Sequence, residues 1–269
     1  MFGNLFKKKG AVRLRRTVQA PENTVIWAVG DIHGRSDLLK PLVNEMLADL
    51  AASSAGRKVV VFLGDYVDRG PDSKGVIDFL ASLPDRYPAE FHFLRGNHED
   101  RMEAFLTDPT LGAGWCDYGG REALLSYGIT APSQRDDVEG WKAASEALNA
   151  AMGPSQRAFL ERQEMFIGLG DYFFAHAGAK PGVALENQST HDLMWVRQTF
   201  LDDPRPFDRV VVHGHTPTEN VHADHRRIGI DTGAYATGVL SALRLEGEAR
   251  SLLQTSKSGS GIEVSRGSI

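Results

Sequence analysis

Three short clusters in the first hundred residues concentrate the side chains that hold metal ions and move protons: Gly30-Asp31-Ile32-His33-Gly34, Gly64-Asp65-Tyr66-Val67-Asp68-Arg69-Gly70 and Gly96-Asn97-His98-Glu99. Later come His176-Ala177-Gly178 and His213-Gly214-His215-Thr216. Oxygen and imidazole ligands without thiolate suit Mn, Fe, Zn or Mg. Two such ions repel at close range, so a pair needs a shared anionic bridge, and an Asp between two ligand sets can serve. The flanking glycines permit the tight turns and close backbone approach that such a site demands.

The elements that must position these clusters can be read from pattern. Short β-branched and aromatic runs at 25–29, 59–63, 91–94, 172–175, 210–212 and 227–230 each end in a Gly-rich polar cluster, as buried strands do. Helical periodicity fills 36–52, 73–83 and 98–106, so the chain opens β-α-β-α-β-α, which implies a parallel sheet with crossover helices. Between about 101 and 163 amphipathic helical segments replace strands, a helical insert after the third cluster. The strands that follow have little helix between them and predict a second sheet packed face to face on the first, an α/β sandwich with helices outside. Ligands of α/β sheets bind beyond the carboxyl ends of strands, so the clusters should converge.

Composition narrows the field. A formal charge of -5 gives no global attraction to nucleic acid or anionic membrane. No apolar run reaches the roughly 18 residues of a membrane span, and a single cysteine, Cys116, fits a reducing, cytoplasmic setting. Residues 1–22, with Lys7, Lys8, Lys9, Arg13, Arg15 and Arg16, and the Ser/Gly-rich residues 255–269 are expected to be tails around a domain spanning 23–254.

The clusters, in this order and each after an expected strand, resemble the phosphoprotein phosphatase branch of the calcineurin-like metallophosphoesterases. The resemblance spans 30–240. It implies a dinuclear site in which Asp31, His33 and Asp65 bind one divalent metal ion while Asp65, Asn97, His176 and His215 bind the other, with Asp65 as the bridge. Arg69 and Asn97 would face the phosphate, His98 would protonate the leaving oxygen, and Asp68 would orient His98 and hold it protonated. A metal-bridging hydroxide would attack phosphorus with no covalent intermediate. Met194-Trp195-Val196-Arg197 resembles a bacterial segment that supplies a second phosphate arginine, Arg197, and Ile230-Asp231-Thr232-Gly233-Ala234-Tyr235 resembles the turn that closes the site, placing Tyr235 near substrate. Ala236-Thr237-Gly238 departs from the family's pattern there.

The substrate expected from this resemblance is a phosphorylated protein, serine or threonine first and then tyrosine, or a small phosphoester. The alternative is symmetrical dinucleoside tetraphosphate hydrolysis. In that sister group the position of Asp68 is commonly small and that of Glu99 commonly Asp. A third reading, a silent phosphoprotein-binding scaffold, fits poorly with a full ligand set. His92, His191, His222 and His225 match no motif and read as surface or packing residues; His213 could line the pocket or pack. Trp115, Tyr118 and Tyr127 could floor a groove, though core packing is the commoner use of aromatics.

Overall fold

The computed structural model describes residues 17–259 and 261–269. The chain runs β1 (Thr24–Val29), α1 (Ser36–Ala52), β2 (Arg57–Phe62), α2 (Ser73–Arg86), β3 (Glu90–Phe93) and α3 (Asn97–Thr107), the alternation expected from the sequence. The insert follows as α4 (Gly112–Cys116), α5 (Gly120–Ser126), α6 (Val138–Ala151) and α7 (Pro154–Glu161). Then come β4 (Phe166–Leu169), β5 (Tyr172–Ala175), α8 (Thr190–Trp195), α9 (Gln198–Leu201), β6 (Val210–His213), β7 (His222–Ala223) and β8 (Arg227–Gly229). The chain closes with α10 (Ala234–Thr237), β9 (Val239–Glu246), β10 (Ala249–Ser258) and β11 (Gly261–Ser268).

Two mixed sheets result, in the orders β11-β10-β9-β1-β2-β3 and β4-β5-β6-β8-β7. Strand alternation assigns the layers. Val25, Trp27 and Val29 of β1 point toward α1, α2 and the insert, whereas Ile26 and Ala28 face the second sheet and meet Tyr172, Phe174, Val212 and Ile228. A third apolar cluster, with Phe173 and Val211 against Leu193 and Phe200, covers the far face of the second sheet. Among the described residues no helix is long and apolar enough to cross a membrane.

Two differences from the sequence reading have physical causes. The last strands return to the first sheet: β9 lies antiparallel on β1, and β10 on β9. Residues 255–269, expected as a tail, are instead the end of β10 and all of β11, paired from Ser251↔Ser268 to Ser258↔Gly261. β11 is exposed along nearly its whole length, so nothing selects apolar residues there and its composition imitates a tail. At the other end the basic residues 7–16 lie outside the described residues, while Gln19 N donates to Asp171 Oδ2 and Ala20 N to Gly247 O, tying 17–22 to the domain.

Candidate metal centre and active site

The loops leaving β1, β2 and β3 are joined by main-chain hydrogen bonds before any ligand is considered. Ile32 N and His33 N donate to Asp65 O, and Gly34 N donates to Tyr66 O. The buried Glu99 carboxylate accepts from the backbone N–H groups of Asp65 (2.9 Å), Tyr66 (2.7 Å), Val67 (3.2 Å) and Gly96 (3.0 Å), which locks the second loop to the start of α3. Six non-glycine residues have positive φ among the described residues, and five of them, His33, Asp65, Asp68, Arg69 and His215, lie in this site. Such backbone costs on the order of 1–3 kcal/mol per residue and persists only where its surroundings over-determine it. Gly64 shows how tight the packing is: at φ +105° a Cβ there would sit 2.7 Å from Gly96 N and 2.9 Å from the His176 ring.

Inside this frame, lone pairs converge. His33 donates from Nδ1 to Val67 O (2.8 Å) and His176 from Nδ1 to Leu63 O (2.9 Å), so in both rings Nε2 is the nitrogen turned toward the place a cation would take. His33 Nε2 lies 3.5 Å from Asp65 Oδ2, and His176 Nε2 lies 3.4 Å from Asp65 Oδ1. Asp65 therefore presents one oxygen to each side. On the second side His176 Nε2 is also 3.0 Å from Asn97 Oδ1 and 3.2 Å from His215 Nδ1, so possible ligand atoms of four residues meet at one place.

Two compact ligand groups emerge, His33–Asp65–His98 and Asp65–His176–His215. The first contains His98 where the sequence suggested Asp31. His98 Nδ1, however, is committed to Asp68 at 2.6 Å, and its Nε2 is 3.9 Å from Asp65. Asp31 is in neither group but touches the backbone of the second: its Oδ2 accepts from His215 N (2.9 Å), and its buried Oδ1 has no hydrogen-bond partner, nor has His215 Nε2. A bare buried carboxylate oxygen is costly unless an ion or a proton satisfies it.

Electrostatics point the same way. Burial, with the charges of Asp231 and Asp65, pushes Asp31 well above the carboxylate range, and burial raises Asp231 to about 6. Burial also drives His33 down to about 3 and His215 to about 2. Asp65 is the exception: burial opposes its charge, yet His176, His98 and His33 hold it well below its usual value. Burial opposes charge on His176 too, yet Asp65 beside it raises the ring, and these close-set carboxylates and imidazoles form a donor set that divalent cations would complete.

On the rim toward solvent, Asp68 Oδ2 accepts from His98 Nδ1 and from Trp115 Nε1 (2.9 Å), while Asp68 N donates to Ser73 Oγ. Burial works against charge on both members of the pair, pushing His98 to about 4 and Asp68 up, so the expectation that Asp68 holds His98 protonated is corrected: the contact orients the ring. Arg69 places its guanidinium 4.7 Å above the Tyr235 ring, with Nη1 3.1 Å from His33 Nε2. Tyr235 packs edge-on to His33 at 5.3 Å and is 39% exposed. Arg197 is exposed at the start of α9, and its charge is among those that lower His215.

The structure therefore gathers Asp31, His33, Asp65, Asp68, Arg69, Asn97, His98, His176, His215 and Tyr235, with Arg197 at the edge. His213 does not join them. It is buried against Phe200, with its ring nitrogens near Gly214 O and Arg227 Nη1. Sequence reasoning missed three contributors. Glu99 stood at the third helical position after Gly96, a helix-start signal that could have revealed its capping role. Buried Asp231 carried only its strand-end position as a signal, and the bond from Trp115 to Asp68 crosses 47 residues with no local trace.

Comparison with known proteins identifies the family. The family model for calcineurin-like phosphoesterases matches residues 24–244. A bis(5'-nucleosyl)-tetraphosphatase PrpE [asymmetrical] of Anoxybacillus flavithermus is 27% identical over 237 residues, covering 80% of this chain and 88% of the relative. Among solved structures, the cold-active protein-tyrosine phosphatase of a Shewanella species shares the fold at TM-score 0.52 and 18% identity, covering 91% of this chain and 83% of that one. A protein serine/threonine phosphatase of Saccharomyces cerevisiae does so at TM-score 0.50 and 15% identity, covering 92% and 80%. With this match and this site, the chain belongs to the calcineurin-like phosphoesterase family and is a phosphoester hydrolase of the metallophosphoesterase type.

Proposed function

We propose that the protein is a dinuclear-metal phosphomonoesterase acting on phosphorylated serine and threonine side chains of proteins, and on tyrosine as a secondary substrate. The observation that carries this reading is the buried His98–Asp68–Trp115 arrangement. A serine or threonine alkoxide is a poor leaving group and needs a proton as the ester bond breaks. A nucleotide leaving through a phosphate oxygen needs little such help. An acid held this firmly is best explained by an alkyl ester substrate.

In this reading Asp31, His33 and Asp65 hold one divalent ion and Asp65, Asn97, His176 and His215 a second, manganese being a suitable ion for activity in vitro. Bound ions would supply a water of lowered pKa and neutralise charge on the phosphoryl oxygens. The protein's own groups do the rest. Arg69, steadied over Tyr235, clamps two phosphate oxygens, with Arg197 approaching from the opposite edge. Asp68 fixes the His98 ring by its Nδ1, and Nε2 delivers the proton from the imidazolium form, which burial disfavours and the negative charges of Asp65 and of the bound phosphate ester favour.

Dinucleoside tetraphosphate hydrolysis is the second reading, favoured by the name carried by the Anoxybacillus relative. Parallel assays with added manganese on a phosphoserine peptide, para-nitrophenyl phosphate and diadenosine tetraphosphate separate the two. The peptide should have the higher kcat/KM; a clear preference for the dinucleotide would replace the first reading with the second.

A further inference from the structure

Beside the metal centre, on the insert side of His98, lies an open groove of about 700 Å³ whose walls include Arg101, Leu111, Trp115, Arg135, His191 and Trp195. Its position relative to the chemistry is set by α3: His98 and Arg101 stand three residues apart on one helix, so their side chains share a face. Their proximity is also felt electrostatically, since the Arg101 charge is among those that lower His98. Trp115 joins the two places directly, lining the groove while its Nε1 donates to Asp68.

The cations around this groove are not alike. Arg95, on the loop before α3, is paired with Asp100 and Glu103, and Arg135 with Asp117, so their charges are already answered. Arg101 has no ion-pair partner among the described residues, and its Nε is buried without a hydrogen bond. Instead its guanidinium carbon lies 4.8 Å from the Tyr118 ring and 4.8 Å from the Trp195 ring. Contacts to two aromatic faces hold the planar group in place without neutralising it. Trp195 in turn meets His215 edge-on and stacks with His191, which fixes this wall to the metal centre.

We propose that Arg101 is a specificity-determining residue that reads a second anionic group carried by the leaving group. The inference rests on the reading of His98 as the acid, which places the leaving group on the α3 face. In a phosphoprotein the second anion is an acidic side chain beside the phosphorylated residue; in a nucleoside polyphosphate it is the next phosphoryl group. Both present the paired oxygens that a guanidinium binds. Arg101 takes no part in the chemistry, so its removal should change preference and leave the basal reaction intact.

The test compares wild type with Arg101→Gln and Arg101→Lys on two phosphoserine peptides differing only by Asp or Asn after the phosphoserine, with para-nitrophenyl phosphate as a substrate lacking a second anion. Wild type should prefer the Asp peptide by about five- to tenfold in kcat/KM, the size expected of a partly exposed charge pair. Arg101→Gln should erase that preference while staying within about twofold on the other two substrates, and Arg101→Lys should restore part of it. Equal wild-type rates on the two peptides, or equal losses on all three substrates, overturn the proposal. The wild-type comparison needs no variant, so it holds even where Arg101→Gln folds poorly. Failure of the phosphoprotein reading is seen separately: if only diadenosine tetraphosphate is cleaved, a selective Arg101→Gln loss on it relative to the nitrophenyl ester supports the role of Arg101, and an equal loss on both refutes it.

Discussion

The metal cage and the groove rim share one helix, yet they are built in opposite ways. Asp31, His33, Asp65, His98 and His176 are buried, and their loops are fixed by main-chain hydrogen bonds, by the four-donor grip of Glu99 and by backbone in the left-handed region. The rim relies more on contacts between side chains. Tyr118 is half exposed and Tyr235 39% exposed, and cations over aromatic rings replace the hydrogen-bonded lattice. Geometry tied to the main chain cannot be changed without disturbing the fold, whereas geometry tied to a few surface side chains can vary freely. The contrast assigns chemistry to the cage and substrate choice to the rim.

Substitutions can test that division, beginning where the effect should be greatest. Asp65→Asn removes the only carboxylate shared by both ligand groups; it should cut kcat/KM by about 10³-fold or more on every substrate and lower bound metal by elemental analysis. Normal turnover with full metal content would mean the cage is not the seat of the reaction. His98→Ala should cost about 10²- to 10³-fold on alkyl phosphates and under about tenfold on para-nitrophenyl phosphate, whose leaving group needs little protonation. Equal losses on the two esters would take the proton donor out of the cage.

Glu99→Ala addresses the scaffold. It strips four buried N–H groups of their acceptor, and the denaturant midpoint should fall by an amount worth about 3 kcal/mol or more. A change below about 1 kcal/mol would show that the loops hold their strained shape without it. On the rim, Arg197→Ala should raise KM by about tenfold with little change in stability. The smallest effect is expected of Tyr235→Phe, within about threefold in kcat/KM, because the ring under Arg69 and beside His33 is kept. A large loss there would move Tyr235 from rim to cage.

The same division explains what could be read from the sequence. Cage residues follow directly on β1, β2, β3, β5 and β6, so the strand pattern and the cluster spacing predicted both the elements and their convergence. The rim depends on pairs far apart in sequence. Trp115 reaches Asp68 through the packing of the insert, and Arg101 on α3 meets Trp195 on α8, tertiary contacts for which local pattern offers no signal. The closing hairpin was hidden for a third reason: with one member exposed on the sheet edge, β10 and β11 lack the apolar alternation that announces a strand.

That hairpin sets a limit for anyone trimming the protein. Thr255, fully buried, donates from Oγ1 to Leu38 O on α1, and Lys257 N donates to Gly238 O just before β9. A fragment cut at 254, where composition suggests a dispensable end, would lose both bonds and leave Ser251 to Gln254 of β10 paired with β9 alone, as the new edge of the sheet. That newly bared edge, without the polar β11 to cover it, invites association between copies, so the shortened chain should aggregate more than the full chain on purification even with every metal ligand in place.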